Sequence, residues 1–388
     1  MKPEWFRNAR IYQILIDRFS GSDTSLNKPD FLGGNIKGIT ERLDYILELG
    51  VNTLWLSPFC KTDKYHGYHI LDYKSVDNHF GSLDDLKILL KKAHESSIRV
   101  VTDFVPNHCS VNHPFFIEAR SNRNSKYYNW FYFKKWPDDY LCFLNIKELV
   151  KLNLDNPETQ DYIIDVAKYW LSYGIDGYRI DHVIGPSHKF WKRFHKEIKT
   201  SCPDCVLFGE AWGAGVSSNY FETINIRNKF ICNIFGISQE ELQKEYYGET
   251  DGILDFRLNE IIIEAVSRGR GFTEGNEFRN KVRKHFSKYP EDYYLITFLD
   301  NHDMNRFLYY CNGNFDLLLE ALEFILTTGR PVAIYYGTET GMCNTIPVRV
   351  DLHNSDLNVR EPVDWSKINY QLYNRVKALI NKYNRTIF

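Results

Sequence analysis

The 388-residue chain predicts an α/β fold, a (β/α)8 TIM barrel. Short apolar runs rich in β-branched and aromatic residues recur along it, and stretches of helical periodicity lie between several of them. That alternation is the pattern of repeated βα units around a parallel sheet. The runs number eight, the count at which such a sheet closes on itself.

In chain order the candidate strands are Arg10 to Ile16, Val51 to Leu56, Val100 to Val105, Gly177 to Val183 and Val206 to Glu210. Ile253 to Leu258, Tyr294 to Leu299 and Val332 to Tyr336 complete the set. Helical periodicity marks Thr40 to Leu49, Leu83 to Ser96 and Gln160 to Tyr173 between strands, and Ile368 to Lys382 near the end. The interval from His108 to Asp155 is too long for an ordinary βα loop and is crowded with Asn, Ser, Tyr and Trp. It is expected to form a small inserted domain B of residues 108–155, with a catalytic barrel, domain A, of residues 1–107 and 156–388. No third domain is expected after the last helical pattern.

Charge and composition exclude whole classes of function. The net charge is -2 with no long run of one sign, so the phosphate attraction on which nucleic-acid binders rely is missing. No apolar run approaches the roughly 18 residues of a membrane span, and MKPEWFRNARIYQ carries no apolar signal region. A cytoplasmic location is the expectation. Eight cysteines (Cys60, Cys109, Cys142, Cys202, Cys205, Cys232, Cys311, Cys343) are scattered along the chain and are expected as reduced thiols. Cys202 and Cys205 form one CPDC motif, the spacing of a redox pair or half a zinc site, but no second pair or His partner lies nearby and neither function is expected. The 26 Tyr, 26 Phe and 8 Trp serve chiefly as core, with some available to stack on sugar faces.

In a barrel of this kind the chemistry sits at the carboxyl ends of the strands. Polar residues collect there: Asp103 to His108 after the third strand, Arg179 and Asp181 on the fourth, Glu210 and Trp212 after the fifth, and Asp300 to Asp303 after the seventh. A single such acid is more simply an ion pair at a loop, but four strand ends with one pattern weaken that explanation. Side chains alternate along a strand, so Arg179 and Asp181 face the same side and can meet one ligand. An Arg beside Asp181 favours its ionised form, which suits a nucleophile. Glu210 follows an apolar strand and precedes Trp212, a setting expected to favour the protonated form a general acid needs.

Taken together, GVNTLWLSPF, YHGYHILDY, DFVPNH, KLN, GYRID, FGEAW, FLDNHD and VREPVDW resemble, in order, the motifs of the α-amylase family of retaining glycoside hydrolases, over nearly the whole chain. The resemblance implies Asp181 as nucleophile, Glu210 as general acid/base and Asp303 as the carboxylate that stabilises the transition state. It implies that Arg179 orients Asp181, that His108 and His302 bond hydroxyls of the sugar being cleaved, and that Tyr68 stacks on that sugar. His66 and Asp103 would support the pocket, and Asp356 and Arg360 would bind glucose units on the non-reducing side. The reaction would be double displacement through a covalent glucosyl intermediate on α-glucans or maltooligosaccharides, with the two carboxyls roughly 5 to 5.5 Å apart.

Departures from the family leave several points open. After Asp181 the chain reads His182-Val183-Ile184-Gly185-Pro186, which matches neither the Lys-His of endo-amylases nor the Asn-Glu of cyclomaltodextrinase-like members. Lys151-Leu152-Asn153 leans toward the cyclomaltodextrinase and neopullulanase side. Many relatives hold a structural calcium at the position of Asn107, with an Asp where Asn153 stands and a His where Gly185 stands. Two of those three are changed, so calcium is expected to be weakened or lost at this site, with the loop Gly21 to Asn35 a second candidate. No catalytic metal or other cofactor is expected, since HExxH and Cys-rich spacings are absent. The β-sandwich of many relatives is not expected either. The alternatives are a 4-α-glucanotransferase, an α-glucosidase or sucrose-acting enzyme, and a non-catalytic sugar-binding or scaffold protein, which would normally lack the acidic residues. Bond preference (α-1,4 or α-1,6), chain length and oligomeric state stay open.

Overall fold

The computed structural model describes residues 2–213, 222–227, 236–267, 275–349 and 354–384. Eight strands close into a parallel barrel: β1 (Arg10–Ile14), β2 (Thr53–Leu56), β3 (Arg99–Phe104), β4 (Gly177–Ile180), β5 (Val206–Gly209), β6 (Gly252–Leu254), β7 (Tyr294–Phe298) and β8 (Val332–Tyr335). Each strand neighbours the next in sequence, and β8 returns to β1 with Arg10 opposite Val332 and Gln13 opposite Tyr335. Every residue of β1, β2 and β4 to β8 is buried. Parallel strands covered on both faces are mostly apolar, and hence they read as nearly continuous apolar runs in the sequence, broken for example at Arg10, Gln13, Thr53 and Arg179.

Contacts concentrate in two compact units. The first holds Pro58–Asn78 and Thr102–Ile253, and the second holds Glu4–Ser57, His79–Val101 and the chain from Leu254 onward. In the second, the helix Leu83–Glu95 is started by a capping box between Ser82 and Asp85 and buries Leu86, Leu89, Leu90 and Ala93, one stripe at helical spacing. In the first, the helix His188–Ser201 is capped by Ser187 and buries Phe190, Trp191, Phe194 and Ile198 in the same way.

Between β3 and the helix Pro157–Ser172 the chain forms short antiparallel pairings, His108–Ser110 with Leu149–Lys151 and Phe133–Lys135 with Asp139–Tyr140. Their aromatic content has a local use: Phe116 packs on Phe131, Phe133 and Tyr140, and Phe115 packs on Tyr127 and Trp130. This segment belongs to the first contact unit.

The sixth predicted strand is corrected. It ends at Leu254, and the helix Phe256–Ser267 begins where a continuing strand was expected. The Asp255 carboxylate accepts from Leu258 N at 3.1 Å and lies 2.8 Å from His285 Nε2, so a cap supported from a distant helix overrides the apolar run. Of the other seven strands all but the second also stop short of their predicted ends, by one residue in the third, fifth, seventh and eighth. Cys232 lies outside the described residues, and the other seven cysteines are free thiols. Among the described residues no helix is long and apolar enough to cross a membrane.

Candidate active site

In the first unit, the β4–β5 register sets two of the acids side by side. Gly177 lies opposite Val206 and Ile180 opposite Gly209, so the next residues along are Asp181 and Glu210. The ladder continues past the strands: Asp181 N donates to Phe104 O at 2.9 Å, Glu210 N to Ile180 O at 2.9 Å and Val183 N to Glu210 O at 3.0 Å. A Cβ at Gly177 would stand 2.2 Å from Val206 O, so glycine is required for the strands to approach this closely.

One buried guanidinium organises these acids. Arg179 Nη1 lies 2.6 Å from Asp103 Oδ1 and 2.8 Å from Asp181 Oδ1, and its Nη2 lies 2.6 Å from Glu210 Oε1. Burial alone would lower the Arg179 pKa, but the charges of Asp103, Glu210, Tyr68 and Asp181 raise it well above its ordinary value. The guanidinium therefore stays charged. Tyr68 Oη donates to the second oxygen of Asp103 at 3.1 Å, and Tyr68 N donates to His66 Nδ1 at 3.2 Å. Tyr68, His66, Asp103, Arg179, Asp181 and Glu210 thus form one connected cluster. The expectation for Glu210 needs correction: its carboxylate sits on Arg179 and also accepts from His182 N at 3.2 Å, so its surroundings are ionic and not simply apolar. Three acids thus share one buried cation.

His108 is 1% exposed, and burial, with His69 and Lys151 nearby, lowers its pKa to about 3. It is a neutral imidazole at ordinary pH. His182, the residue after Asp181, is also buried, with its pKa driven well below the usual range by desolvation and by the positive charge of Lys151. Its backbone has φ 43°, an unfavourable value for a non-glycine residue. The ring of Phe143 lies against both imidazoles, with centroids 4.8 Å from His108 and 4.6 Å from His182. Sequence reasoning named His182 only as part of the segment after Asp181 and passed over Phe143. Adjacency to Asp181 was the one local signal for His182, and Phe143 had none.

The second unit carries the remaining predicted residues. His302 Nε2 lies 3.0 Å from Asp303 Oδ2, and its Nδ1 lies 2.9 Å from Gln13 Nε2. Arg360 reaches Asp303 Oδ1 at 2.7 Å, Asp356 Oδ2 at 2.5 Å and the His302 carbonyl at 2.8 Å. His302, Asp303, Asp356 and Arg360 are therefore one hydrogen-bonded group, in which Arg360 holds Asp303. Gln13, on β1, was not singled out in the sequence, because a lone glutamine in a buried strand carries no motif.

A model of the α-amylase catalytic domain matches residues 13–384. The chain is 36% identical over 369 residues to Alpha-amylase 2 of Dictyoglomus thermophilum, covering 94% of this chain and 60% of that protein. It is 30% identical over 410 residues to Neopullulanase 2 of Thermoactinomyces vulgaris, covering 99% of this chain and 64% of that one. It therefore spans about three fifths of the length of these curated relatives. Among solved structures it resembles the cyclic α-maltosyl-(1→6)-maltose hydrolase of Arthrobacter globiformis in complex with maltose, with a TM-score of 0.81 and 26% identity over 98% of this chain and 84% of that one. With the family match running from β1 to the last helix, this chain belongs to the α-amylase catalytic-domain family.

Proposed function

We propose that the chain is a retaining glycoside hydrolase that cleaves α-glucosidic bonds, mainly α-1,4, in maltooligosaccharides, dextrins or starch. Asp181 attacks the anomeric carbon while Glu210 protonates the departing oxygen. Glu210 then deprotonates the water that releases the sugar, so configuration is retained. Asp303 stabilises the positive charge that develops on the sugar ring. The observation that carries this reading is the Arg179 guanidinium shared by Asp181 and Glu210 at adjacent strand ends. Acids crowded on one cation repel each other once ionised, so Asp181 keeps its charge and the repulsion favours a proton on Glu210 as the general acid.

In this reading residues 108–155 act as domain B on barrel domain A, and neutral His108 donates to a hydroxyl of the bound sugar. Seven free cysteines support a reducing, cytoplasmic setting. The deciding experiment is a product profile on maltooligosaccharides, β-cyclodextrin, pullulan and soluble starch, with Asp181→Ala as the blank. Only shorter products, released with the α-anomer in excess, are expected. Products longer than the starting sugar would make the chain chiefly a 4-α-glucanotransferase, and no turnover on any of them would favour the binding-protein alternative.

A further inference from the structure

Lys151 is a buried cation that the reaction above does not use. It is 3% exposed, and its Nζ donates to Asn107 Oδ1 at 2.9 Å and to the Gly185 carbonyl at 2.9 Å. An ammonium taken out of water costs several kcal/mol, roughly, unless its protons find acceptors. These two carbonyl oxygens are such acceptors. Gly185 O also accepts from Asn225 Nδ2 at 2.6 Å, and a Cβ at Gly185 would lie 1.9 Å from Asn107 Oδ1. The three groups are packed closely enough that only glycine fits at 185.

Two consequences reach the catalytic cluster. The loop from His182 to Gly185 leaves Asp181 through the strained backbone of His182. It is held by His182 N and Val183 N on Glu210, by Trp191 Nε1 on Val183 O at 2.8 Å, and at its far end by Lys151 and Asn225 on Gly185 O. A strained residue persists only where its surroundings over-determine it, and Lys151 is one of those restraints. The second consequence runs through Asn107. With its oxygen on Lys151, its amide nitrogen faces His108 Nδ1 at 3.3 Å, which makes Nδ1 the acceptor and leaves the ring proton on Nε2.

We propose that Lys151 is this chain's own structural cation, a positioning residue that fixes the loop after Asp181 and the tautomer of His108 in place of a bound calcium ion. The residues do not fit calcium, which takes six to eight oxygens at about 2.3–2.6 Å, carboxylates among them. Asn107 Oδ1 and Gly185 O already face an ammonium. Asn153 offers an amide whose nitrogen donates to Asn129 O at 2.8 Å and whose oxygen accepts from Asp155 N at 3.1 Å. A divalent ion on the same oxygens would stand beside a fixed positive charge.

The test is thermal unfolding and steady-state kinetics of the full chain, stripped with a chelator and then titrated with calcium chloride. The thermal arm needs no substrate, so it stands apart from the functional reading. Tm, kcat and KM are expected to be unchanged by either treatment, whereas an ion bound only by the native state would raise Tm. Lys151→Met is expected to lower kcat about tenfold or more with KM within about twofold, the split that marks a group acting on the transition state through its neighbours. A calcium-dependent rise in Tm that survives Asp23→Ala and Asp30→Ala in the loop Gly21 to Asn35 overturns the proposal, as does K151M with wild-type Tm and kcat. If K151M does not fold, the calcium titration of the loop variant alone decides.

Discussion

Arg179 is the residue on which most of the chemistry rests, because one guanidinium meets three carboxylates. Truncating it would strand those acids in a buried site, so Arg179→Ala is expected to cost about 3–5 kcal/mol, read as a drop in Tm. Arg179→Lys keeps the charge but loses the planar fork, and kcat/KM should fall about a hundredfold or more in steady-state assays. The acids behave oppositely. Asp181→Ala and Glu210→Gln should abolish turnover while leaving Tm unchanged or slightly raised, since each relieves the crowding of three acids on one cation. A large fall in Tm with activity retained would refute the assignment. Arg179 and Asp181 were legible in the sequence because spacing two on a strand places them on one side. That Glu210 shares the same guanidinium was not legible, because it depends on the register of two strands.

At the scale of elements, function is carried by how strand ends and loops are tied down. Arg360 spends its guanidinium on Asp303, Asp356 and the His302 carbonyl, so Arg360→Ala should lower kcat/KM for short and long maltooligosaccharides alike. A loss confined to longer chains would return Arg360 to the sugar-binding role that the family resemblance implies. Gly185→Ala should destabilise by about 1–3 kcal/mol, because the added methyl overlaps Asn107. Chemical denaturation of the variant checks this. The helix Leu83–Glu95 was readable because its periodicity agrees with the cap at Ser82, whereas the helix His188–Ser201 was not singled out. The sixth strand was misread, because the Asp255 cap that ends it is braced by His285, thirty residues further on.

For the whole molecule, four buried histidines, His69, His108, His113 and His182, weigh on the response to acid. Burial lowers the pKa of His69 and His113 to about 4 and of His108 to about 3. Their folded values lie below the unfolded one, so their stabilising contribution is complete above about pH 6.5 and is lost as pH falls toward 4 and 3. Each unit of depression corresponds to about 1.4 kcal/mol. Asp17 works in the other direction: burial raises its pKa to about 6 against Arg18 and the amides of Leu32 and Gly33, so its contribution grows as pH falls through that value. Burial raises Asp300, Glu339 and Glu361 in the same sense as Asp17. Hydrogen bonds instead hold Asp23, Asp85, Glu197 and Glu323 below their usual range. With those four acids and the four histidines all losing their contribution as pH falls, Tm is expected to fall steadily in scans from neutral pH toward about pH 4. A Tm that is flat or rising over that interval would contradict the assignment of these histidines as neutral. The sequence by itself determined the eight-strand barrel and the strand ends that bear Asp103, Asp181, Glu210 and Asp303, because buried parallel strands and their polar termini leave a local pattern. Tertiary structure alone decided that Arg179 is shared, that Arg360 holds Asp303 and that Lys151 bridges Asn107 and Gly185. Apart from the Arg179–Asp181 pair, those contacts join residues 31 to 76 positions apart, and their partners are selected by strand register and close packing.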